Sequence, residues 1–291
     1  MGLQERIEAA ISDHIGKPAR LSSTRASSGG CINNSRVVTL DDGSRFFVKT
    51  NSQSAALPGL FETEYLALQR LRAPGVIDVP EPVACDADFI IMYAFNPGSK
   101  AADWHEQTGC GLARLHQATC QDQFGFDQLN YIGTTAQPND WHDNWVDFYR
   151  EQRLGWQLQV FAAKTTADDQ LLLLGERLLQ QLDNIIGQVQ EPAVLLHGDL
   201  WSGNAAANAS GAPIIFDPAS YYGQREAELG MMRLFGGFGP RCEAAYNEVW
   251  PLEPEADRRI ALYRLYHELN HLNLFGSGYY SSCIDTLRGV L

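Results

Sequence analysis

Five side chains in this sequence, Lys49, Glu64, Asp199, Asn204 and Asp217, follow an order suited to moving a phosphoryl group. Asp199 and Asn204 lie in LLHGDLWSGN with D-x4-N spacing, and Asp217 closes the apolar run PIIFD. In phosphoryl-transfer sites, a carboxylate at the first position accepts or orients the proton of the attacking hydroxyl. The amide and a second carboxylate, at a strand end, hold Mg2+ against nucleotide phosphates. The residue types follow from these tasks. Carboxylate and amide oxygens are hard ligands suited to Mg2+, and a base must face the hydroxyl without being consumed as a ligand. Taken singly, Asp and Asn in a polar loop most often cap turns. The succession of strand, loop, strand and aspartate favours the chemical reading.

Upstream residues agree with it. Lys49 lies on the apolar strand RFFVKT, and the following segment LFETEYLALQRLR offers Glu62 and Glu64 as partners. Phe61, Tyr65, Leu68 and Leu71 are expected to form the core stripe of that helix, which places Glu64 beside the stripe and makes it the better partner. A helix-to-strand Lys–Glu pair orients a lysine on the α/β-phosphates, although two isolated charges would ordinarily be read as solvated. Gly29 and Gly30, in SSGGCINNS, fall where a phosphate-covering loop is expected and would let backbone N–H groups approach phosphate. That stretch matches neither GxGxxG nor the Walker pattern. Cys31 at its tip is an oxidisable thiol by position, though an inert one is the plainer reading.

These residues need two kinds of support. The first third reads as strands at SRVVTL, RFFVKT and FIIMYAF, with the helix LFETEYLALQRLR before the last and an opening helix carrying Ile7, Ile11 and Ile15. After NPGSK, helical spacing dominates in GCGLARLHQ, NWVDFYREQRLGWQLQVF, QLLLLGERLLQQLDNIIGQV and RRIALYRLYHELNHLNLF. Short strands at AVLLH and PIIFD interrupt it. The expectation is an α+β chain with a small β-rich lobe over residues 1–95 and a larger, mainly helical lobe over 96–291. With 291 residues, 45% hydrophobic and 20% charged, the chain has enough apolar surface for substantial cores. A net charge of −13 argues against an extended nucleic-acid surface. The six scattered cysteines, the charged amphipathic opening and the lack of a spanning apolar run point to a cytoplasmic, non-membrane protein.

HELNH, residues 267 to 271, competes with this reading because it matches the HExxH zinc pattern. Position 274 is Leu, no later His exists and no glutamate follows Glu268, so the further ligand is missing. Leu262, Leu265, Leu269 and Leu272 mark the same helix as core.

HGDLWSGN, IIFDPASYYGQREAELGMMRLFGGFG and LYHELNHLNLFGSGYY resemble the fructosamine (ketosamine) kinases, within the aminoglycoside-phosphotransferase group of the protein-kinase-like fold. The similarity extends to FVKTN, FETEYLAL and YIGTTAQPNDWHDNW. It implies a bilobal fold and ATP-dependent phosphorylation of a sugar hydroxyl in ketosamines, as small molecules or on glycated proteins, a deglycation chemistry. By position it implies Asp199 as base, Asn204 and Asp217 as Mg2+ ligands, and Lys49 with Glu64 as the nucleotide pair. Backbone groups around Met92, Tyr93 and Phe95 would receive adenine. Family members often carry an acidic residue at Tyr93, a change of little consequence where the contact is through backbone. His197-Gly198-Asp199 and Asp217-Pro218-Ala219 replace the HRD and DFG of protein kinases, which argues against activation-loop control. Trp201 would stack on the sugar face, and Gln137, Asn139 and Trp141 are weaker substrate-side candidates. A phosphotransferase acting on another small alcohol, or an inactive kinase-like binding protein, is the alternative.

Overall fold

A computed structural model describes residues 2–26, 34–51 and 57–291. Gly29, Gly30 and Cys31 lie outside the described residues, so the expected phosphate-covering turn and the thiol at its tip are not located in it. Helix α1 (Leu3–Ile15) precedes strands β1 (Leu21–Ala26), β2 (Asn34–Leu40) and β3 (Arg45–Thr50). Helix α2 (Leu60–Arg72) then leads to β4 (Pro82–Asp86) and β5 (Phe89–Tyr93). The five strands form one antiparallel sheet in the order β1-β2-β3-β5-β4.

Alternation along β3 and β5 decides where the chemistry faces. Phe46, Val48, Phe89 and Ile91 join Ile7 and Ile11 of α1 in a small outer core. Phe47, Ile90 and Met92 point the other way, into the large core, and Lys49 shares their face. Two of the strands were not evident in the sequence. In β1, LSSTRA lies at the sheet edge and is mostly exposed, so no apolar alternation marks it. In β4, PVACD is short and begins with proline. Helix α2 follows its expected bounds, but its stripe is rotated: Glu64 is buried with Phe61, Ala67, Leu68 and Leu71, while Tyr65 is only partly covered.

Beyond β5 come α3 (Trp104–Ala118), the hairpin β6 (Asn130–Ile132) and β7 (Thr135–Gln137), and α4 (Trp145–Phe148). Seven residues of wider π winding, Tyr149–Gly155, connect α4 to α5 (Trp156–Ala162), where the sequence predicts one uniform helix. Such bulges tend to mark special contacts. Here Arg153 is fully buried, with its guanidinium bonded to Pro138 O and Asn139 Oδ1 and lying 3.8 Å from the Tyr221 ring centre. Helix α6 (Asp169–Ile185) follows, and then the short strands β8 (Val194–Leu196), β9 (Ala205–Ala207), β10 (Pro213–Ile215) and β11 (Tyr221–Gly223). Antiparallel pairs β8–β11 and β9–β10 hold the loops between them. Helices α7 (Glu226–Phe235), α8 (Pro240–Val249), α9 (Ala256–Phe275) and α10 (Tyr280–Val290) complete the chain. Leu262, Leu265, Leu269 and Leu272 of α9 are buried, as their spacing predicts. Among the described residues, no helix is long and apolar enough to cross a membrane.

The large core runs without a break from α2 and the inner sheet face into these helices. It permits a very close helix contact between α3 and α8. A Cβ on Gly109 would lie 2.0 Å from the Cys242 carbonyl oxygen, so only glycine fits. Gly109→Ala should therefore force the helices apart and destabilise the protein by about 1–3 kcal/mol. Thermal melting would show this as a loss of roughly 2–4 °C per kcal/mol. Gly278→Ala, where a Cβ meets nothing within 4 Å, should melt with the wild type. Equal melting of both variants would mean that the α3–α8 contact bears no load.

Candidate active site

The catalytic-loop candidate begins where buried β8 delivers His197, Gly198 and Asp199. Gly198 has φ 82°, and a Cβ there would sit 2.1 Å from Ala219 O, which leaves glycine as the only fit. The loop is anchored from α7. Glu228 is buried, and its two carboxylate oxygens accept the backbone N–H groups of His197 (2.5 Å) and Gly198 (3.1 Å). His197 then links the two aspartates. Its Nδ1 accepts Asp199 N–H at 3.3 Å, and its Nε2 lies 2.9 Å from Phe216 O, next to Asp217. Both bonds are satisfied by a neutral ring protonated at Nε2, and burial pushes the His197 pKa down, favouring that form.

Asn204 donates its Nδ2 to Asp199 O (2.8 Å) and Asp199 Oδ2 (3.1 Å). This assignment leaves Oδ1 without a hydrogen bond among the described residues. Asp217 follows β10 in the left-handed region, at φ 60°, a conformation aspartate tolerates better than most residues. Its Oδ1 lies 2.5 Å from Lys49 Nζ, and Glu64 Oε1 lies 2.5 Å from the same nitrogen. Lys49 and Glu64 are only 4% and 8% exposed, so the ammonium has little water and depends on these carboxylates. Burial by itself would lower the Lys49 pKa, but Asp217 and Glu64 outweigh it and hold the amine above the usual lysine range. Burial also pushes Glu64 up, with Asp217 adding to the shift and Lys49 opposing it.

Asp199 is raised well above the ordinary carboxylate range, first by burial and then by Asp217 and Glu228, against the Asn204 hydrogen bond. Among the described residues, no group of three or more His, Cys, Asp or Glu side chains converges as a metal site. The Asp217 carboxylate and the unpartnered Asn204 Oδ1 nevertheless fit Mg2+, which commonly takes one or two protein oxygens and completes its shell with phosphate and water.

Lys49, Glu64, Asp199, Trp201, Asn204 and Asp217 all line one cleft of about 470 Å3. The Met92–Phe95 segment stands apart from that lining. Met92 is in the large core, while the Tyr93 ring faces outward, 4.9 Å from Phe46 and 5.8 Å from His14. The Tyr93 side chain thus points to the α1 side of the sheet, away from Lys49. Phe95 lies 5.8 Å from Phe216, ring to ring, and its backbone N–H has no hydrogen bond among the described residues.

Trp201 is 37% exposed and meets Phe235 edge to face at 5.8 Å, so its ring is open to the cleft. The other three substrate-side candidates are placed differently from expectation. Gln137 is fully buried, donates to Asn130 Oδ1 and Ala219 O, and accepts from Tyr266. Asn139 is buried against Gln128 O, Asn130 and Arg153. Their polar atoms are spent on holding the β6–β7 region together. Trp141 lies near Tyr222, 6.0 Å between rings, and outside the cleft lining. In HELNH, Glu268 is tied to Arg264 and Ser282, and burial takes the His267 pKa down to about 3. His271, by contrast, faces the cleft. Sequence reasoning missed Glu228, which looks like one more charged position on an amphipathic helix, and the aromatic residues Phe235, Phe275 and Tyr279 of the cleft wall.

A sequence model of the fructosamine kinase family matches residues 3–291. A protein-ribulosamine 3-kinase from Oryza sativa subsp. indica is 40% identical, covering 95% of this chain and 81% of its own length. The ketosamine-3-kinase of Mus musculus is 36% identical, covering 92% of this chain and 94% of its own. A solved structure from Thermobifida fusca, assigned to fructosamine-3-kinases, superimposes with a TM-score of 0.89 at 32% identity, covering 99% of both chains. A solved spectinomycin phosphotransferase at 13% identity and a TM-score of 0.57, covering 98% of this chain and 93% of its own, shares the fold. The bilobal, protein-kinase-like α+β architecture and the end-to-end match lead to one assignment: this chain belongs to the fructosamine kinase family.

Proposed function

We propose that this chain transfers the γ-phosphoryl group of ATP to the 3-hydroxyl of ketosamines, the sugar–amine adducts found on small amines and glycated proteins. The observation that carries the reading is the cleft itself. Lys49 is held by Glu64 and Asp217 on one side, and Asp199, backed by Asn204, stands beside an open Trp201 on the other. The names of the rice and mouse relatives support the substrate class.

With the smaller lobe taken as residues 1–95 and the larger as 96–291, ATP would lie between them. Phe95 N–H, which has no hydrogen bond among the described residues, would meet the base, and Lys49 is poised for the phosphates. The sugar hydroxyl oxygen attacks the γ-phosphorus, the bond to the bridging oxygen of ADP breaks, and the hydroxyl proton passes to Asp199. Lys49 stabilises charge on the transferring group, and the rigid loop under Glu228 fixes the direction of Asp199. Mg2+, held by Asp217 and Asn204, would neutralise phosphate charge. Trp201 offers an apolar face to the sugar ring.

The substrate assignment is tested by timing ATP-dependent product formation with fructosyl-lysine, ribulosyl-lysine, an aminoglycoside and choline side by side. Turnover of the ketosamines is expected to dominate; robust turnover of another alcohol with inert ketosamines would overturn it. Asp199→Asn should lower kcat by about 10²–10⁴-fold while ATP binding persists. Because the Asp199 carboxyl is raised, it takes up a proton at a pH where ordinary carboxylates remain ionised, and a protonated carboxyl cannot accept the hydroxyl proton. The acidic limb of kcat/KM should therefore lie above the ordinary value of about 4. A limb at or below that value would show that the Asp199 carboxyl is not held raised in the working enzyme.

A further inference from the structure

Part of the cleft wall is aromatic. Phe235 from the end of α7, His271 and Phe275 from the end of α9, and Tyr279 just beyond line the same space as Asp199 and Trp201. His271 sits at the centre of this group, with ring centroids 4.8 Å from Phe235, 5.4 Å from Phe275 and 5.1 Å from Tyr279. Phe235 and Phe275 are 40% and 59% exposed, a contiguous apolar surface beside the reacting group rather than buried packing.

The hydrogen bonding of His271 gives the wall a polar centre. Its Nδ1 lies 2.8 Å from the His267 carbonyl, an acceptor only, so Nδ1 carries the proton and donates. Burial pushes the ring toward its neutral form. Nε2 is then a lone-pair acceptor, and it has no hydrogen-bond partner among the described residues. Among the described residues, the carboxylates lining the cleft are Glu64, Asp199 and Asp217, each of which already has a role in the phosphoryl-transfer reading. This aromatic group therefore combines π faces with neutral acceptors, His271 Nε2 and the Tyr279 hydroxyl. This combination suits a cation that carries N–H and an alkyl arm.

We propose that Phe235, His271, Phe275 and Tyr279 form the subsite for the amine of the substrate. His271 Nε2 accepts an N–H of the secondary ammonium, the Phe235 and Phe275 faces contact its charge, and the alkyl arm leaves the cleft over Phe275. The proposal rests on the ketosamine reading above and extends it: this wall makes the enzyme select aminated ketoses over the same ketoses without nitrogen. An arm leaving over an exposed rim also leaves room for an amine carried on a polypeptide.

Steady-state kinetics with fructosyl-lysine and with free fructose, at saturating ATP, test this. For Phe275→Ala and His271→Leu, the preference for fructosyl-lysine in kcat/KM is expected to fall by about 3–30-fold each. That range corresponds to a cation–π or hydrogen-bond contribution of about 0.5–2 kcal/mol. The loss should appear in KM for the aminated sugar. His271→Gln, which keeps an acceptor, should recover most of it. Where fructose turnover is too slow to time, its inhibition constant against fructosyl-lysine supplies the same comparison. Equal losses on both sugars, or an unchanged preference, would overturn the subsite. A wild-type enzyme that binds ATP and phosphorylates another alcohol, but neither sugar, would instead overturn the ketosamine reading, and the subsite with it.

Discussion

A lysine ammonium removed from water must be paid for by charges close to it, and the arrangement around Lys49 follows from that constraint. Its nitrogen has Glu64 at 2.5 Å from α2 and Asp217 at 2.5 Å from the end of β10. The contact thus ties together the sheet, the helix beside it and the strand that carries the second aspartate. Removing one partner of a buried pair such as Lys49–Glu64 costs about 3–5 kcal/mol, because the other charge is left uncompensated. The arrangement is correspondingly specific: it fixes the rotation of α2, so Glu64 is inside and Tyr65 at the edge. It also holds Asp217 in the left-handed conformation that aims it into the cleft.

The opposite side of the cleft depends on a second buried carboxylate. Glu228 takes the two backbone N–H groups that precede Asp199, and His197 passes the constraint on to both aspartates. Few side chains could do this. The acceptor must offer two oxygens to adjacent amides, and the glycine between His197 and Asp199 must tolerate a carbonyl at its back. Catalysis that works by positioning and charge requires this rigidity, since a small misplacement of the base is costly.

The residues with the most local signal were legible in the sequence. Asp199, Asn204 and Asp217 lie within nineteen positions of one another in a strand–loop–strand pattern, and Lys49 stands out as a charge on an apolar strand. Glu64 could be preferred to Glu62 from helical spacing alone. What sequence could not supply was the fate of polar atoms. Gln137 and Asn139 stand in the sequence as substrate-side candidates, yet they are buried because Asn130, Arg153 and Tyr266, distant in sequence or unremarkable in type, satisfy them. The reverse happened with HELNH. Its zinc-motif spacing was already set aside for want of a further ligand, but nothing in the spacing showed that the helix turns His271 toward the cleft and ties Glu268 to Arg264. Strands β1 and β4 were missed because an exposed edge and a proline start erase the alternation that marks a strand.

Whether Lys49, Asp199, Asn204 and Asp217 together form the phosphoryl-transfer site can be read from a crystal structure. The complex would contain a non-hydrolysable ATP analogue, Mg2+ and fructosyl-lysine. Mg2+ is expected on Asp217 and Asn204 Oδ1, Lys49 on the phosphates, and the sugar 3-hydroxyl hydrogen-bonded to Asp199 in line with the γ-phosphorus. A nucleotide bound away from Lys49, or a sugar whose hydroxyls do not reach Asp199, would contradict this arrangement.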